Sequence, residues 1–332
     1  MAYIPKSPPR IAPLPENCVR PKWSVMIPVY NCAQFLPETL ESVLQQNIPA
    51  AEMQIEVIDD GSTDADVAAL VKQIGQGRVA YFRQPRNVGS LVNFETCLIR
   101  AKGHYVHLLH GDDKVKNGYY RKIETLFEQN PQAGAAFCRY TCIDENGRKN
   151  YDKTPEMQHD GILPNWLKTI SERQRLQYAT ITVRREVYEK LGGFFGVTYG
   201  EDWEMWVRIA RHYPVAYTPQ ILAEYRTHSN SISGNKFLKG GHLKDLGRTM
   251  KLIQQHLPEG QKTGILARSK KYYAYYGLKI ANRLWNSLHN EQVVKTQIKH
   301  ILHLHRSPLL HLILLKLYLK LNLYKLWKRA YR

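Results

Sequence analysis

"QIEVIDDGSTDADVAALVKQI", residues 54–74, reads as strand, turn and helix in immediate succession. An apolar, β-rich run ends at Asp59-Asp60, a Gly-Ser-Thr-Asp turn follows, and Asp64 opens a helical pattern. The unit recurs on both sides. "WSVMIPV" (23–29) precedes the helical "PETLESVLQQ" (37–46), with Pro37 suited to a first turn. "RVAYFRQP" (78–85) precedes "GSLVNFETCLIRA" (89–101), and "YVHLLH" (105–110) precedes "GYYRKIETLFEQ" (118–129). "AGAAFCRYTCI" (133–143) is again strand-like. Alternation with short connections predicts an α/β fold built of right-handed βαβ units, with a mostly parallel, Rossmann-like sheet flanked by helices. In such sheets ligands bind beyond the carboxyl ends of the strands. Two acidic pairs fall there: Asp59-Asp60, and Asp112-Asp113 in "LLHGDDKV" (108–115).

Adjacent carboxylates repel and raise each other's pKa unless a positive partner is near. A divalent cation is one such partner, since Mg²⁺ and Mn²⁺ take oxygen ligands and Mg²⁺ is commonly held by one or two carboxylates plus substrate phosphates. The bland alternatives are a solvated loop at 112–113 and turn chemistry before Gly61. Other ligand classes lack their marks. "PVYNCAQF" follows the first strand where a dinucleotide fold needs G-x-G-x-x-G, and "GQG" (75–77) precedes a strand. No Walker A loop, HExxH or cysteine cluster occurs. What remains is a nucleotide held through acids and a cation. Asp59 or Asp60 would accept from a base or ribose, and Asp112 with Asp113 would hold the metal against a diphosphate.

Several motifs in order carry a resemblance: "SVMIPVYN", "VIDDGSTD", "NVGS", "AKGHYVHLLHGDD", "VRREVYEKLGGF", "GEDWEMWVRIA" and "YRTHSNSIS". Over roughly residues 23–235 the chain resembles family 2 glycosyltransferases of the GT-A fold. The resemblance implies inverting transfer from a nucleotide-sugar, usually a UDP-sugar, to a saccharide or lipid-linked saccharide acceptor in cell-surface polysaccharide synthesis. It implies that Pro28, Tyr30, Asp59 and Asp60 line the nucleotide, that Asp112 meets ribose and metal, and that Asp113 is a metal ligand. It places Asp202 as catalytic base with Glu201 beside it, and brings His228 toward the diphosphate or the Mn²⁺ or Mg²⁺ ion. The chain departs from the family pattern at His110, where D-x-D has its first acid, and at Val92, where a basic residue often precedes the helix Asn (here Asn93). Asn87 and Gly89 read as turn residues. Glu201-Asp202 also suits a helix N-terminus, where acids complement the macrodipole. Trp203 and Trp206 fit core packing at helical spacing better than sugar stacking.

Competing classes explain less. A nucleotide-sugar-forming nucleotidyltransferase would lack an acceptor-side base and would carry a glycine-rich loop after the first strand. A basic nucleic-acid-binding protein leaves both acidic strand ends unexplained, and a palm-type polymerase needs its paired acids in an antiparallel hairpin. Nucleic acid is therefore not an expected partner, despite a net charge of +18.

Three regions are expected: a proline-rich arm (1–22), the catalytic region (23–235) and a basic helical region (236–332). Five scattered cysteines read as reduced thiols, and the arm lacks the apolar core of a secretion signal, which suggests a cytoplasmic protein. No acid follows Glu291, while Lys295, Lys299, Arg306, Lys316, Lys320, Lys325, Lys328, Arg329 and Arg332 place nine positive charges in the last 41 residues. The apolar run in 307–332 is broken by charge before the roughly 20 residues needed to span a bilayer. It reads either as an interfacial helix on an anionic membrane, with Trp327 near the headgroups, or as a bundle packed on the catalytic region or on a second copy. The first alternative puts the enzyme peripherally on the inner face of the cell membrane.

Overall fold

In the computed structural model, which describes residues 3–229, 231–238 and 240–330, the strand–helix alternation is present from the first motif onward. β1 (Trp23–Val29) leads to α1 (Leu36–Leu44), β2 (Met53–Asp59) to α2 (Val67–Gly75), and β3 (Ala80–Arg83) to α3 (Ser90–Arg100). β4 (Tyr105–Leu108), the short β5 (Lys114–Val115) and α4 (Tyr119–Gln129) follow, then β6 (Ala135–Ile143), β7 (Lys149–Asp152), β8 (Gly161–Ile162) and α5 (Trp166–Glu172). A 3-10 turn (Tyr178–Thr180) feeds β9 (Ile181–Arg184), α6 (Arg185–Leu191), α7 (Glu201–His212) and β10 (Val215–Arg226). Residues Met1–Ile170 with Gln174–His228 form one compact unit.

Its sheet has the order β3-β2-β1-β4-β9-β6-β10-β5. β3, β2, β1 and β4 pair in parallel, as do β6 and β10, while β9 runs antiparallel between β4 and β6. The long strands other than β9 therefore point one way, and their carboxyl ends share one edge. The reversal of β9 brings its beginning, not its end, to that edge. β1 is buried at every position because helices cover both faces. Its residues join Leu36, Leu40, Tyr119, Tyr120 and Phe127 in the main core.

Two elements depart from simple alternation. "LQYATITV" (176–183) is a 3-10 turn before a short strand. β10 is legible only in the structure: Pro219 and the register shifts between Thr218 and Ala223 interrupt its alternation. The proline-rich arm lies along the catalytic unit. Gly193 N–H donates to Pro9 O and Gly196 N–H to Pro5 O at 2.8 and 2.9 Å, and Ile11 is fully buried.

The second unit, Ser171–Arg173 with Ser229–Arg332, is helical: α8 (Ile232–Leu238), α9 (His242–Ile253), α10 (Glu259–Leu288), α11 (Glu291–Leu304) and α12 (Pro308–Ala330). α10 is its spine. At Gly277 a Cβ would lie 2.6 Å from a methyl of Leu243 and 3.0 Å from Ile301, so the bare backbone there makes room for these side chains of α9 and α11 against α10. No helix among the described residues is long and apolar enough to cross a membrane. Asn230 and Arg332, both part of the sequence reading, lie outside the described residues.

Candidate active site

The carboxyl edge is assembled by hydrogen bonds between loops that follow different strands. After β1, Asn31 adopts φ 50° and its side-chain oxygen accepts from Thr63 N–H at 2.8 Å. Ala33 N–H donates to Asp64 at 2.9 Å, so the turns after β1 and β2 are stitched together. Pro28 is buried at the end of β1 and Tyr30, just beyond it, is exposed. Asp60 uses both oxygens on the loop after β3, accepting from Val88 N–H at 2.7 Å and Gly89 N–H at 3.0 Å. Burial raises its pKa, and those two N–H groups partly offset the rise. Gly61 makes this closure feasible: φ is 73° and a Cβ would meet Asn87 N at 3.0 Å.

Asp59 faces the protein interior. It is fully buried and accepts from Ser62 N–H and Tyr81 Oη–H at 2.8 Å and from Arg83 at 2.5 Å. Its oxygens turn inward, and it holds the half-exposed Arg83 at the edge.

The second acidic pair is built around an arginine that sequence reasoning passed over. Arg226 ends β10 with its side chain fully buried. Its backbone N–H donates to Asp113 Oδ1 at 2.8 Å, its Nε to Asp112 O at 2.9 Å, and a terminal nitrogen to Glu38 at 3.0 Å. The other terminal nitrogen reaches the carbonyls of Asp144 and Glu145, and the guanidinium lies 4.8 Å from the Phe35 ring centroid. Burial, and then the charge of Asp112, push Asp113 well above the usual carboxylate range. Burial also opposes ionisation of Asp112, but its hydrogen bond with His228 and the adjacent imidazoles outweigh it and hold that carboxyl low. His228 Nε2 lies 2.9 Å from Asp112 Oδ2, and its ring packs on Phe35.

His110 joins this pair. Its ring is stacked between Phe94 and Tyr178, with centroids at 5.1 and 4.3 Å, and burial lowers its pKa. One ligand atom each from His110, Asp112 and Asp113 lie within 4.8 Å of one another, the only such cluster among the described residues. His110 Nε2 is buried with no hydrogen-bond partner among the described residues. A neutral imidazole with a bare nitrogen beside two carboxylates fits a divalent cation that accepts mixed N/O ligands.

At the start of α7 the left-handed Gly200 (φ 91°) turns the chain so that Glu201 and Asp202 occupy the first helical turn. Asp202 Oδ1 accepts from Trp203 N–H at 2.7 Å and Oδ2 accepts from Gln174. Burial raises its pKa to about 6, with both hydrogen bonds opposing the shift. Glu201 accepts from Tyr178 Oη–H at 3.3 Å. Trp203 and Trp206 are buried, and Trp203 Nε1 donates to the Ile170 carbonyl, so both are core residues.

Contacts join these pieces. Asp60 holds Val88 and Gly89 at the N-terminus of α3, α3 carries Phe94, Phe94 stacks on His110, and His110 stacks on Tyr178, which donates to Glu201 beside Asp202. A chain of contacts thus links the acids at the carboxyl ends of β2 and β4 to the start of α7. A model of the family described as "Glycosyl transferase family 2" matches residues 24–192. The chain belongs to glycosyl transferase family 2.

Other comparisons agree with that membership. The transferase is 29% identical over 225 residues to a putative teichuronic acid biosynthesis glycosyltransferase, TuaG, of Bacillus subtilis, covering 66% of this chain and 84% of the relative. Its fold is GT-A. The structure of S. aureus TarS 1–349 in complex with UDP-GlcNAc superposes with a TM-score of 0.62 at 14% identity, over 84% of this chain and 79% of the other. The mannosyltransferase PcManGT from Pyrobaculum calidifontis, in complex with GDP-Man and Mn²⁺, gives 0.56 at 18% identity, over 98% and 86%. In this family 2 glycosyltransferase the acid positions were legible as strand ends. Arg226, Tyr178 and Gln174 were not, because each acts on a residue of another element distant in sequence. The one available signal was Arg226 within the "YRTH" run.

Proposed function

We propose that the enzyme moves a sugar from a nucleotide-sugar, a UDP-sugar first among them, with inversion, to a saccharide or lipid-linked saccharide acceptor during cell-surface polysaccharide synthesis. The contact chain from the Asp112–Asp113 cluster to Asp202 carries this reading. It supplies an anion-and-metal end and a base end in one site. The UDP-GlcNAc bound by TarS and the polymer named for TuaG support the donor class and the setting.

In this reading Tyr30 and the end of β1 at Pro28 face the base. Asp60 shapes the nucleotide loop through Val88 and Gly89, and Arg83 adds positive charge beside it. Asp112 with His110 and Asp113 would hold Mn²⁺ or Mg²⁺, which when bound neutralises charge on the departing diphosphate. Arg226 fixes the direction of both aspartates, and His228 orients Asp112. Asp202 takes the acceptor hydroxyl proton. A carboxyl titrating near 6 is mostly ionised at pH 7 and is a stronger base than an ordinary aspartate. Glu201, tied to Tyr178, positions the first turn of α7.

The test is a panel of UDP- and GDP-sugars incubated with the full chain, with and without Mn²⁺, scoring nucleoside diphosphate release and the anomeric configuration of product by NMR. Cation-dependent release with inverted product is expected. Retained configuration, or turnover of no nucleotide-sugar, refutes the reading.

A further inference from the structure

α12 carries two apolar faces. Leu310, Leu314, Leu317 and Leu321 are buried, and the Tyr324 ring meets Trp285 of α10 at 5.3 Å, so one face is spent on the helical unit. The opposite face is also leucine. Leu312, Leu315 and Leu319 are each 53% exposed, Leu323 is 65% and Leu326 is 60% exposed. At 100° per residue these five fall within one stripe roughly opposite the buried one. Lys316 and Lys320 border the stripe on one side, both exposed, and Lys320 Nζ also lies 2.5 Å from Asn286 of α10. Tyr318 and Trp327 add large exposed rings near it.

We propose that this face of α12 docks on an anionic lipid surface, lying in the plane of the interface. Charge and shape select this occupant. No acid follows Glu291, so a second copy would bring Lys316 and Lys320 against like charge with nothing in the segment to neutralise them. The spacing 312, 315, 319, 323, 326 also departs from a heptad, which would put Asn322 in the seam. A nucleic acid would satisfy the lysines but leave the leucines in water. A lipid headgroup layer answers both: acyl chains take the leucines and acidic headgroups take ammonium groups on aliphatic stems. At 1.5 Å per residue the helix is about 35 Å long, and it does not qualify as a spanning segment. The inference stands on α12 alone and is independent of which sugar is transferred.

The experiment is flotation of the full-length chain with vesicles of phosphatidylcholine alone or with about one third phosphatidylglycerol, alongside light scattering and thermal unfolding. Wild type is expected to partition onto the anionic vesicles only. Lys316→Gln/Lys320→Gln is expected to lower that partition about thirty-fold, and Leu315→Ser/Leu319→Ser/Leu323→Ser by at least about a hundredfold, with unfolding temperatures unchanged. Equal binding to neutral vesicles, or partition unmoved by either variant, overturns the proposal. So does a vesicle-free dimer that the leucine variant dissociates.

Discussion

Replacing Asp202 by Asn tests the base end of the site most directly. The side chain keeps its size and its acceptor for Trp203 N–H, so folding and donor binding should persist while proton acceptance is lost. With a carboxyl at about 6, roughly 90% is ionised at pH 7, half at pH 6 and about 10% at pH 5. Wild-type transfer should therefore fall about tenfold between pH 7 and pH 5, whereas an aspartate at its ordinary value would lose under roughly a tenth over that range. The variant should lose about 10²- to 10⁴-fold in turnover and show no limb near pH 6. Stability moves in the opposite direction. A raised folded-state pKa contributes stability that is fully present below the unfolded value of 3.8 and is lost as pH rises through about 6. At pH 7 the wild type thus bears the cost of a buried, ionised carboxylate. The variant should be more stable there by at most about 3 kcal/mol, less what the Gln174 contact contributed, and the gap should close below about pH 4. Steady-state release of nucleoside diphosphate across pH, donor calorimetry and urea unfolding at pH 7 and pH 4 measure the three quantities. Near-normal turnover of the variant, or a wild-type profile flat to pH 5, would sink the base assignment.

Three further outcomes are expected. Arg226→Met leaves the carbonyls of Asp112, Asp144 and Glu145 without their donor and Glu38 with Lys114 alone; chemical denaturation should show a loss of about 1–3 kcal/mol, and an unchanged midpoint would show that the arginine is dispensable. His110→Asp replaces a nitrogen donor with oxygen, so metal titrations should shift preference from Mn²⁺ toward Mg²⁺, and identical titrations would exclude His110 from the ligand set. Gly277→Val crowds the buried Leu243 and Ile301 side chains and should cost about 1–3 kcal/mol by thermal or chemical unfolding; a variant as stable as wild type would mean those side chains repack without loss.

Local pattern decided much about this protein before any contact was known. Apolar runs ending in Asp59-Asp60 and Asp112-Asp113 needed only period and turn chemistry to be placed at strand ends, and the order of motifs sufficed for family and fold. The breakdown came where function depends on register between distant strands. Arg226 sits 114 residues from Asp112, on a strand whose alternation is broken by Pro219 and two register shifts, and only its pairing beside β6 delivers it to the acidic pair. Asp59 and Asp60 are identical neighbours in sequence. Tertiary structure turned one inward onto Tyr81 and Arg83 and gave the other to Val88 and Gly89. Asp202 likewise reads as an ordinary helix-start acid. Its pKa near 6 arises from burial, which no local pattern records, because desolvation is the sum of everything the fold packs around a group.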